Sequence, residues 1–317
     1  RLPMRPLDLL LLHPPSVYDF RKRSILYGPV SDLIPSSPVF EMYPLGFLTM
    51  TDYLERRGKR VRIVNLALRM MDHPHFDVAA FLARLHPKAV GIDLHWLPHA
   101  HGAIEIARLV KLVHPGVPVI MGGLSATYFH EELIRYPEVD YVLRGDSTEP
   151  PLLDLLEHLA AGEPPHDVPN LTWKEEDVVR VNPFTYVPHS LDGANIAPQR
   201  LVRMVLRHHD LQSVLPFRGW WQNPITAVFT VKGCAHACVT CGNSQEACAL
   251  LSRRTGPIFR SPQNLVQNMA EISRISRGPI FLVGDLRQAG EEHAHEVLDR
   301  LRVLRLKNEI VFELFEM

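Results

Sequence analysis

The sequence predicts an α/β protein in which a doubly wound parallel sheet is followed by the start of a (β/α) barrel. Short apolar runs alternate with amphipathic stretches over residues 1–161 and again over residues 226–317. Several of these runs are apolar almost throughout, which is typical of strands whose sheet is covered on both faces. Prolines interrupt the periodicity over residues 162–226. The pattern therefore indicates two parallel sheets joined by a linker.

The first part contains five predicted strands that alternate with helices. Strand-length apolar runs stand at residues 8–13, 60–65, 89–93, 117–121 and 139–143. Helical periodicity is found at residues 45–57, 76–85, 103–113, 131–135 and 151–161. In an open parallel sheet, ligands lie beyond the carboxyl ends of the strands. We therefore expect the loops that follow these strands to form a binding site.

The rest of the chain begins with the linker and then resumes the alternation. Residues 162–226 contain one small predicted hairpin, formed by residues 171–174 and 178–182. Residues 226–317 have predicted strands at 227–231, 279–283 and 310–314 and predicted helices at 264–276 and 293–304. A full eight-unit barrel takes roughly 250 residues. We therefore expect residues 226–317 to be the N-terminal part of a truncated barrel.

Composition limits the partners of this protein. Lys and Arg number 34 and Asp and Glu number 35, so the net charge is −1, and binding to nucleic acid is not expected. No apolar run reaches the ~18 residues of a membrane span. The N-terminus lacks the apolar core of a secretory signal. We therefore expect a cytoplasmic protein without a membrane span.

All four cysteines lie between residues 234 and 248. Cys234, Cys238 and Cys241 have the spacing C-x3-C-x2-C directly after a predicted strand. A disulfide framework would spread its cysteines along the chain, and both structural zinc and ordinary electron-transfer clusters take four ligands. Three thiolates on a four-iron cluster leave one iron open to a further ligand. A partial zinc site or plain buried thiols are the alternative, and we interpret Cys248 as a separate thiol.

This loop resembles the cluster loop of the radical-SAM enzymes, which follows the first strand of their partial TIM barrel. The resemblance implies a [4Fe–4S] cluster that cleaves S-adenosylmethionine (SAM) to methionine and a 5′-deoxyadenosyl radical. It also implies an electron donor such as a flavodoxin or a ferredoxin. Thr240 stands where the family usually has an aromatic residue near the adenine. Gly284 and Asp285 stand where the family has a Gly-Gly-Glu motif for the SAM amino group, and Asp can still accept from an ammonium.

Residues 7–161 resemble the cobalamin-binding domain, a Rossmann-like sheet that precedes many radical-SAM domains. The matching text is His13-Pro14-Pro15, Tyr43-Pro44-Leu45-Gly46, Gly122-Gly123-Leu-Ser125-Ala-Thr127 and Arg144-Gly145-Asp146. Paired glycines let a backbone approach a large ligand closely. The resemblance implies cobalamin contacts at Pro14, Pro15, Gly122, Gly123, Ser125, Thr127 and Gly145.

Two motifs of other cofactor proteins are incomplete or absent. Asp93-Leu-His95 resembles part of the Asp-x-His-x-x-Gly motif that supplies a cobalt ligand in other cobalamin proteins. It follows the third predicted strand instead of the first, and it lacks the glycine. We therefore interpret His95 as a loop residue. No G-x-G-x-x-G follows the first strand, so a dinucleotide site is not predicted.

The two resemblances together imply a cobalamin-dependent radical-SAM enzyme, most often a methyltransferase acting on an unactivated carbon. Two alternatives stay open. One is a cobalamin-independent radical-SAM enzyme with a vestigial first domain, and the other is a non-enzymatic module that binds metal or cobalamin. The substrate, whether a small molecule or a peptide, and the catalytic residues are not predicted, because substrate contacts in such a barrel come largely from later strands.

Overall fold

The computed structural model describes residues 6–22 and 39–315, and the chain forms two compact units. The first unit comprises residues up to 47, 54–186 and 208–218, and the second comprises residues 48–53, 187–207 and those from 219 onwards. Much of the segment between the first predicted strand and the first predicted helix, namely residues 23–38, lies outside the described residues. Within the described ranges, no helix combines the length and the apolar character that crossing a bilayer requires.

The strands fall into two groups along the chain. Those of the first unit are β1 Leu9–His13, β2 Val61–Asn65, β3 Val90–Asp93, β4 Val119–Gly122, β5 Tyr141–Leu143, β6 Leu171–Glu175 and β7 Val178–Val181. Those of the second unit are β8 Thr226–Phe229, β9 Val231–Lys232, β10 Ile258–Phe259, β11 Ile280–Val283 and β12 Ile310–Phe312.

Helices connect most of these strands. The α-helices are α1 Gly46–Glu55, α2 Leu66–Asp72, α3 Val78–Ala83, α4 Ala100–Val113, α5 Leu124–Tyr128, α6 His130–Leu133, α7 Glu149–Ala161, α8 Pro198–His208, α9 Gln245–Ser252, α10 Pro262–Ser273 and α11 Glu291–Leu304. Short 3₁₀ helices stand at Leu97–His99, Gln212–Val214 and Leu286–Ala289.

The strands of the first unit form a single sheet in the order β2-β1-β3-β4-β5-β6-β7. The neighbours among the first five strands pair in parallel. The strand order reverses between β1 and β3, which is the arrangement of a doubly wound sheet. The predicted fold class is therefore confirmed for this part of the chain.

The parallel strands are apolar because helices and loops cover both faces of the sheet. All five residues of β1 are buried, and α4 packs Ile106 and Val110 into the core that also contains Val90 and Val119. Burying one such side chain contributes about 1.5–3 kcal/mol. Burial of apolar side chains therefore stabilises the central strands, and this stabilisation does not depend on the polar residues at the strand ends.

Residues 162–226, predicted as a linker, contribute to both units. The predicted hairpin is present as β6 and β7, and β6 pairs antiparallel with β5, so the hairpin extends the first sheet. Residues 208–218 belong to the first unit as well. Asp210 accepts hydrogen bonds from Arg62 at 2.8 Å and from Arg69 at 2.6 Å. These ion pairs attach the segment beside β2, the edge strand.

The structure contains helices that the periodicity did not predict. Helix α2 begins directly after β2, where the side chain of Asn65 accepts the Leu68 N–H at 3.0 Å and acts as an N-cap. Helix α8 begins at Pro198, and proline is favoured in the first turn of a helix. Both starts carry a recognisable capping signal, but apolar periodicity alone does not reveal it.

The second unit contains an open sheet of three parallel strands in the order β12-β11-β8. The short strand β9 pairs antiparallel with β10 beside it. Leu265 and Met269 of α10 pack against Val228 and Leu282 of the sheet. Within the described residues the sheet does not close into a barrel, and its alternating strands and helices agree with the predicted start of one.

Candidate functional site

The carboxyl ends of β1, β3, β4 and β5 meet at one edge of the first sheet, because these strands are parallel neighbours. The loops after them begin at Pro14, Leu94, Gly123 and Arg144. The structure therefore brings the predicted cobalamin-contact residues to a common edge from separate parts of the chain. This edge includes the β1–β3 switch point, where ligands bind in doubly wound sheets.

The two glycines after β4 have different roles. Gly123 has a φ of +117°, and a Cβ there would lie 2.7 Å from the backbone nitrogen of His95. Glycine is needed for both the conformation and the close crossing of the two loops. A Cβ at Gly122 would meet only the carbonyl oxygen of Leu143, at 3.7 Å, which is an ordinary contact. Gly123 is therefore a structural requirement, whereas the structure would tolerate a side chain at Gly122.

The predicted hydroxyl contacts act within the edge itself. Thr127 Oγ1 donates to the carbonyl of Gly123 at 2.9 Å and accepts the N–H of Gly145 at 2.9 Å. Ser125 Oγ donates to the carbonyl of His95 at 3.1 Å. These hydroxyls join the loops after β3, β4 and β5. They therefore fix the shape of the surface that a cofactor would contact.

The apolar surface at this edge comes from residues that the sequence analysis did not select. Pro14 and Pro15 are buried. In contrast, Trp96 is 37% exposed and Leu97 is 54% exposed, directly after β3. Large ligands bind mostly to apolar and aromatic side chains, so this surface fits cobalamin. The pattern of apolar residues in the sequence does not reveal that Trp96 and Leu97 are exposed, because their exposure depends on how the sheet folds.

A buried polar network occupies the switch point beneath this surface. His13 Nδ1 lies 2.9 Å from Asp93 Oδ1, and the carbonyl of Phe40 lies 2.7 Å from His13 Nε2 and 3.0 Å from His99 Nε2. Burial, together with the neighbouring His13, lowers the pKa of His99 to about 4. Asp93 Oδ2 and His99 Nδ1 are buried and have no hydrogen-bond partner among the described residues. The network thus retains acceptor atoms beside the predicted cofactor edge.

In the second unit, the cysteine loop follows β8 and the short strand β9. Cys234 is half-buried, Cys238 and Cys241 are exposed, and none of them forms a disulfide. The N–H of His236 donates to Cys234 Sγ at 3.4 Å, and the N–H of Asn243 donates to Cys241 Sγ at 3.4 Å. Cysteine sulfur is the usual protein ligand of iron–sulfur clusters. The donor set therefore fits an iron–sulfur cluster.

Within the described residues, no three His, Cys, Asp or Glu side chains converge as a single metal ion requires. A four-iron cluster needs less convergence, because each thiolate binds a different iron. Cys248 is buried on α9, and its Sγ lies 3.3 Å from Asn243 Oδ1.

Two contacts hold the cysteine loop against the rest of the second unit. The N–H of Ala235 donates to the side-chain oxygen of Gln288 at 2.9 Å. The N–H of Gln245, the first residue of α9, donates to the carbonyl of His236 at 2.9 Å. Gln288 lies in the segment that follows β11, so this contact joins the carboxyl ends of β8 and β11. Sequence analysis missed Gln288 because its partner lies 53 residues away.

The predicted SAM contacts, Gly284 and Asp285, lie after β11 and are already hydrogen bonded. Arg287 donates from Nε to Asp285 Oδ1 at 3.0 Å and from a terminal nitrogen to Oδ2 at 2.6 Å, and the Phe315 N–H donates to Oδ2 at 2.8 Å. These bonds, chiefly those from Arg287, lower the pKa of Asp285 to about 2. The N–H of Gly284 donates to Glu313 Oε2 at 2.6 Å. Two carboxylates therefore stand at this edge.

Comparison with known proteins agrees with these observations. Residues 33–153 match the family model of the B12 binding domain. An uncharacterized methyltransferase of Pyrococcus horikoshii is 25% identical over 244 residues, which cover 77% of this chain and 47% of that protein. The hopanoid C-3 methylase of Methylococcus capsulatus is 28% identical over 130 residues, which cover 40% of this chain and 24% of that protein.

Solved structures share the fold. The radical S-adenosylmethionine methyltransferase TsrM from Kitasatospora setae, with tryptophan substrate and a SAM analog bound, has a TM-score of 0.64 and 17% identity; the match covers 93% of this chain and 50% of that one. The cobalamin-dependent S-adenosylmethionine radical enzyme OxsB, with aqua-cobalamin and SAM bound, has a TM-score of 0.62 and 14% identity. This match covers 98% of this chain and 38% of that one. The family model confirms the predicted resemblance of the first domain to cobalamin-binding domains, and the solved structures show that the fold of the chain is shared. The chain spans half or less of the length of these proteins.

Proposed function

We propose that this chain carries the cobalamin-binding and cluster-binding parts of a cobalamin-dependent radical-SAM enzyme that transfers a methyl group to an unactivated carbon. One observation carries the proposal: a match to the B12 binding domain and a C-x3-C-x2-C loop after the first strand of a second parallel sheet occur in the same chain. The relatives named methyltransferase and C-3 methylase support methyl transfer as the reaction.

Cys234, Cys238 and Cys241 would hold three irons of the [4Fe–4S] cluster and leave the fourth iron open to SAM. When bound, the cluster supplies the electron that cleaves SAM, and cobalamin supplies a carrier for the methyl group. Asp285 and Gly284 are the proposed contacts of the SAM amino group. Asp285 would accept this ammonium in exchange for the Arg287 guanidinium that it now binds.

In the first unit, the proposed cobalamin residues divide by role. At Gly122 the absence of a side chain would let the cofactor approach the backbone, whereas the remaining residues shape the loops or pack beneath them, namely Pro14, Pro15, Gly123, Ser125, Thr127 and Gly145. Trp96 and Leu97 add the apolar surface. We propose functional domains at residues 1–161 and 226–317 with the linker 162–226 between them.

A cobalamin-independent enzyme with a vestigial first domain is the second candidate. The hydroxyls of Thr127 and Ser125 favour it, because both are satisfied inside the protein without a cofactor. The two candidates differ in one measurable property, which is the uptake of hydroxocobalamin.

Anaerobic reconstitution of this chain with iron, sulfide and hydroxocobalamin tests the proposal. We expect about four irons per chain, one cobalamin, and conversion of SAM to 5′-deoxyadenosine after reduction. Cys234→Ala should lose the cluster, and Cys248→Ala, the matched control outside the triad, should keep it. A chain that binds the cluster but not cobalamin would support the vestigial domain. Zinc in place of iron would contradict the whole proposal.

We further propose a reducing, cytoplasmic location and an electron donor such as a flavodoxin or a ferredoxin. The triad contains accessible thiols without disulfides, and a reducing compartment keeps such thiols available for iron. The substrate is proposed to be a small molecule or a peptide. Reduction of the reconstituted cluster by purified flavodoxin and by ferredoxin, compared with dithionite, tests the donor.

A further inference from the structure

Gln288 connects the cysteine loop to the segment that carries the proposed SAM contacts. Its Oε1 accepts the N–H of Ala235, which stands between Cys234 and Cys238, at 2.9 Å. Its own N–H donates to the carbonyl of Asp285 at 3.1 Å. The side chain is therefore held at one end by the 3₁₀ turn after β11 and at the other by the loop.

The other half of the Gln288 amide has no protein partner. Its Nε2 is buried and has no hydrogen-bond acceptor among the described residues. The amide cannot be turned around to relieve this, because Nε2 would then face the Ala235 N–H, and two donors would meet. An amide nitrogen that is buried without an acceptor is costly. Its position beside the cysteine loop indicates an acceptor that a ligand brings.

We propose that Gln288 is a positioning residue for the iron–sulfur cluster, an inference that rests on the proposed function. Its oxygen fixes the backbone between the first two cysteines. Its Nε2 donates to a sulfur of the bound cluster. Hydrogen bonds to sulfur are among the factors that set the reduction potential of a cluster. A donor stabilises the more negative reduced state, so Gln288 raises the potential.

Two substitutions separate the two halves of the amide. Gln288→Glu keeps an acceptor for Ala235 but removes the donor and adds a negative charge. Gln288→Met keeps the length of the side chain and removes both functions. Gln245→Glu is the matched control for charge, because Gln245 is an exposed residue that follows the loop and bonds to the loop through its backbone N–H.

The first measurement is a redox titration of the reconstituted chain, monitored by the visible absorbance and the paramagnetic signal of the cluster. The second is the rate at which the cluster loses iron to a chelator. For Gln288→Glu we expect wild-type iron content and a tenfold lower ratio of reduced to oxidised cluster at a fixed potential. That ratio corresponds to a shift of about 59 mV for one electron. For Gln288→Met we expect iron loss at least fivefold faster than in the wild type. Gln245→Glu should shift the potential much less than Gln288→Glu.

Each outcome decides one part of the inference. An unchanged potential in Gln288→Glu, or an equal shift in Gln245→Glu, overturns the donor role. A wild-type rate of iron loss in Gln288→Met overturns the positioning role. If the wild-type chain takes up no cluster, the proposed function fails and this inference fails with it. If the wild-type chain takes up the cluster and the variants behave like the wild type, only this inference fails. The two failures are therefore distinguishable.

Discussion

The imidazole of His13, at the end of β1, lies 2.9 Å from the carboxylate of Asp93, at the end of β3, and both side chains are buried. The other ring nitrogen of His13 donates to the carbonyl of Phe40. Both partners are oxygen atoms of residues outside β1, so the ring links three segments of the first unit. This pair joins the two strands on either side of the switch point.

The pair predicts different effects for two substitutions of Asp93. Asp93→Ala leaves a buried histidine without its partner and should destabilise the first unit by about 3 kcal/mol or more. Asp93→Asn can still bond to the His13 ring and should cost about 1 kcal/mol. Hydrogen exchange of the β1 and β3 amides reports the stability of this unit. Equal losses in the two variants would contradict a role for the His13–Asp93 hydrogen bond.

His99 predicts a pH dependence for the first unit. Its pKa is lowered to about 4 by burial, from an ordinary value of 6.5. The unfolded chain therefore takes up a proton at a higher pH than the folded chain, and stability should fall as the pH drops from 6.5 to 4, by up to about 3 kcal/mol.

The measurement is unfolding by urea at several pH values. His99→Gln keeps a donor for the Phe40 carbonyl but does not titrate, so its stability should fall less over this range. His75→Gln, at an exposed histidine, is the matched control and should keep the wild-type profile. If His99→Gln also keeps that profile, His99 is not the group responsible.

Gly123 and Gly122 form a second matched pair. Gly123→Ala places a Cβ 2.7 Å from the backbone of the next loop at a φ of +117°, and should destabilise the first unit by about 2 kcal/mol. Gly122→Ala makes only an ordinary contact and should cost less than about 1 kcal/mol. Cobalamin uptake should fall in both variants, through folding in the first and through lost space in the second. Unchanged uptake in Gly122→Ala would argue against cobalamin at this position.

Asp285 and Arg287 predict opposite effects on SAM binding. Asp285→Asn should weaken the binding of SAM to the reconstituted chain about tenfold, because the proposed acceptor of the ammonium loses its charge. Arg287→Gln removes the competing guanidinium and should leave SAM binding unchanged or strengthen it. Equilibrium dialysis with labelled SAM checks both. Equal weakening by the two substitutions would show that Asp285 acts only through its bond to Arg287.

Local patterns in the sequence were sufficient for most of the strands and most of the helices, and they predict the cysteine triad as a cluster site. An apolar run such as Leu9–Leu12 predicts a buried strand by itself, because a strand covered on both faces is apolar whichever helices or loops cover it. The spacing of Cys234, Cys238 and Cys241 likewise indicates a cluster loop by itself. The helices beginning at Leu66 and Pro198 were missed, although Asn65 caps the first and the second begins with a proline.

The partners of the polar residues were decided only by the tertiary structure. His13 and Asp93 are 80 residues apart, and Ala235 and Gln288 are 53 residues apart, so no local spacing records either pair. For the same reason the sequence predicts Thr127 as a cofactor contact but does not reveal that its hydroxyl bonds to Gly123 and Gly145. These hydrogen bonds form only after the parallel pairing of distant strands brings the two residues together. The periodicity that predicts a strand or a helix, in contrast, is contained in a few consecutive residues.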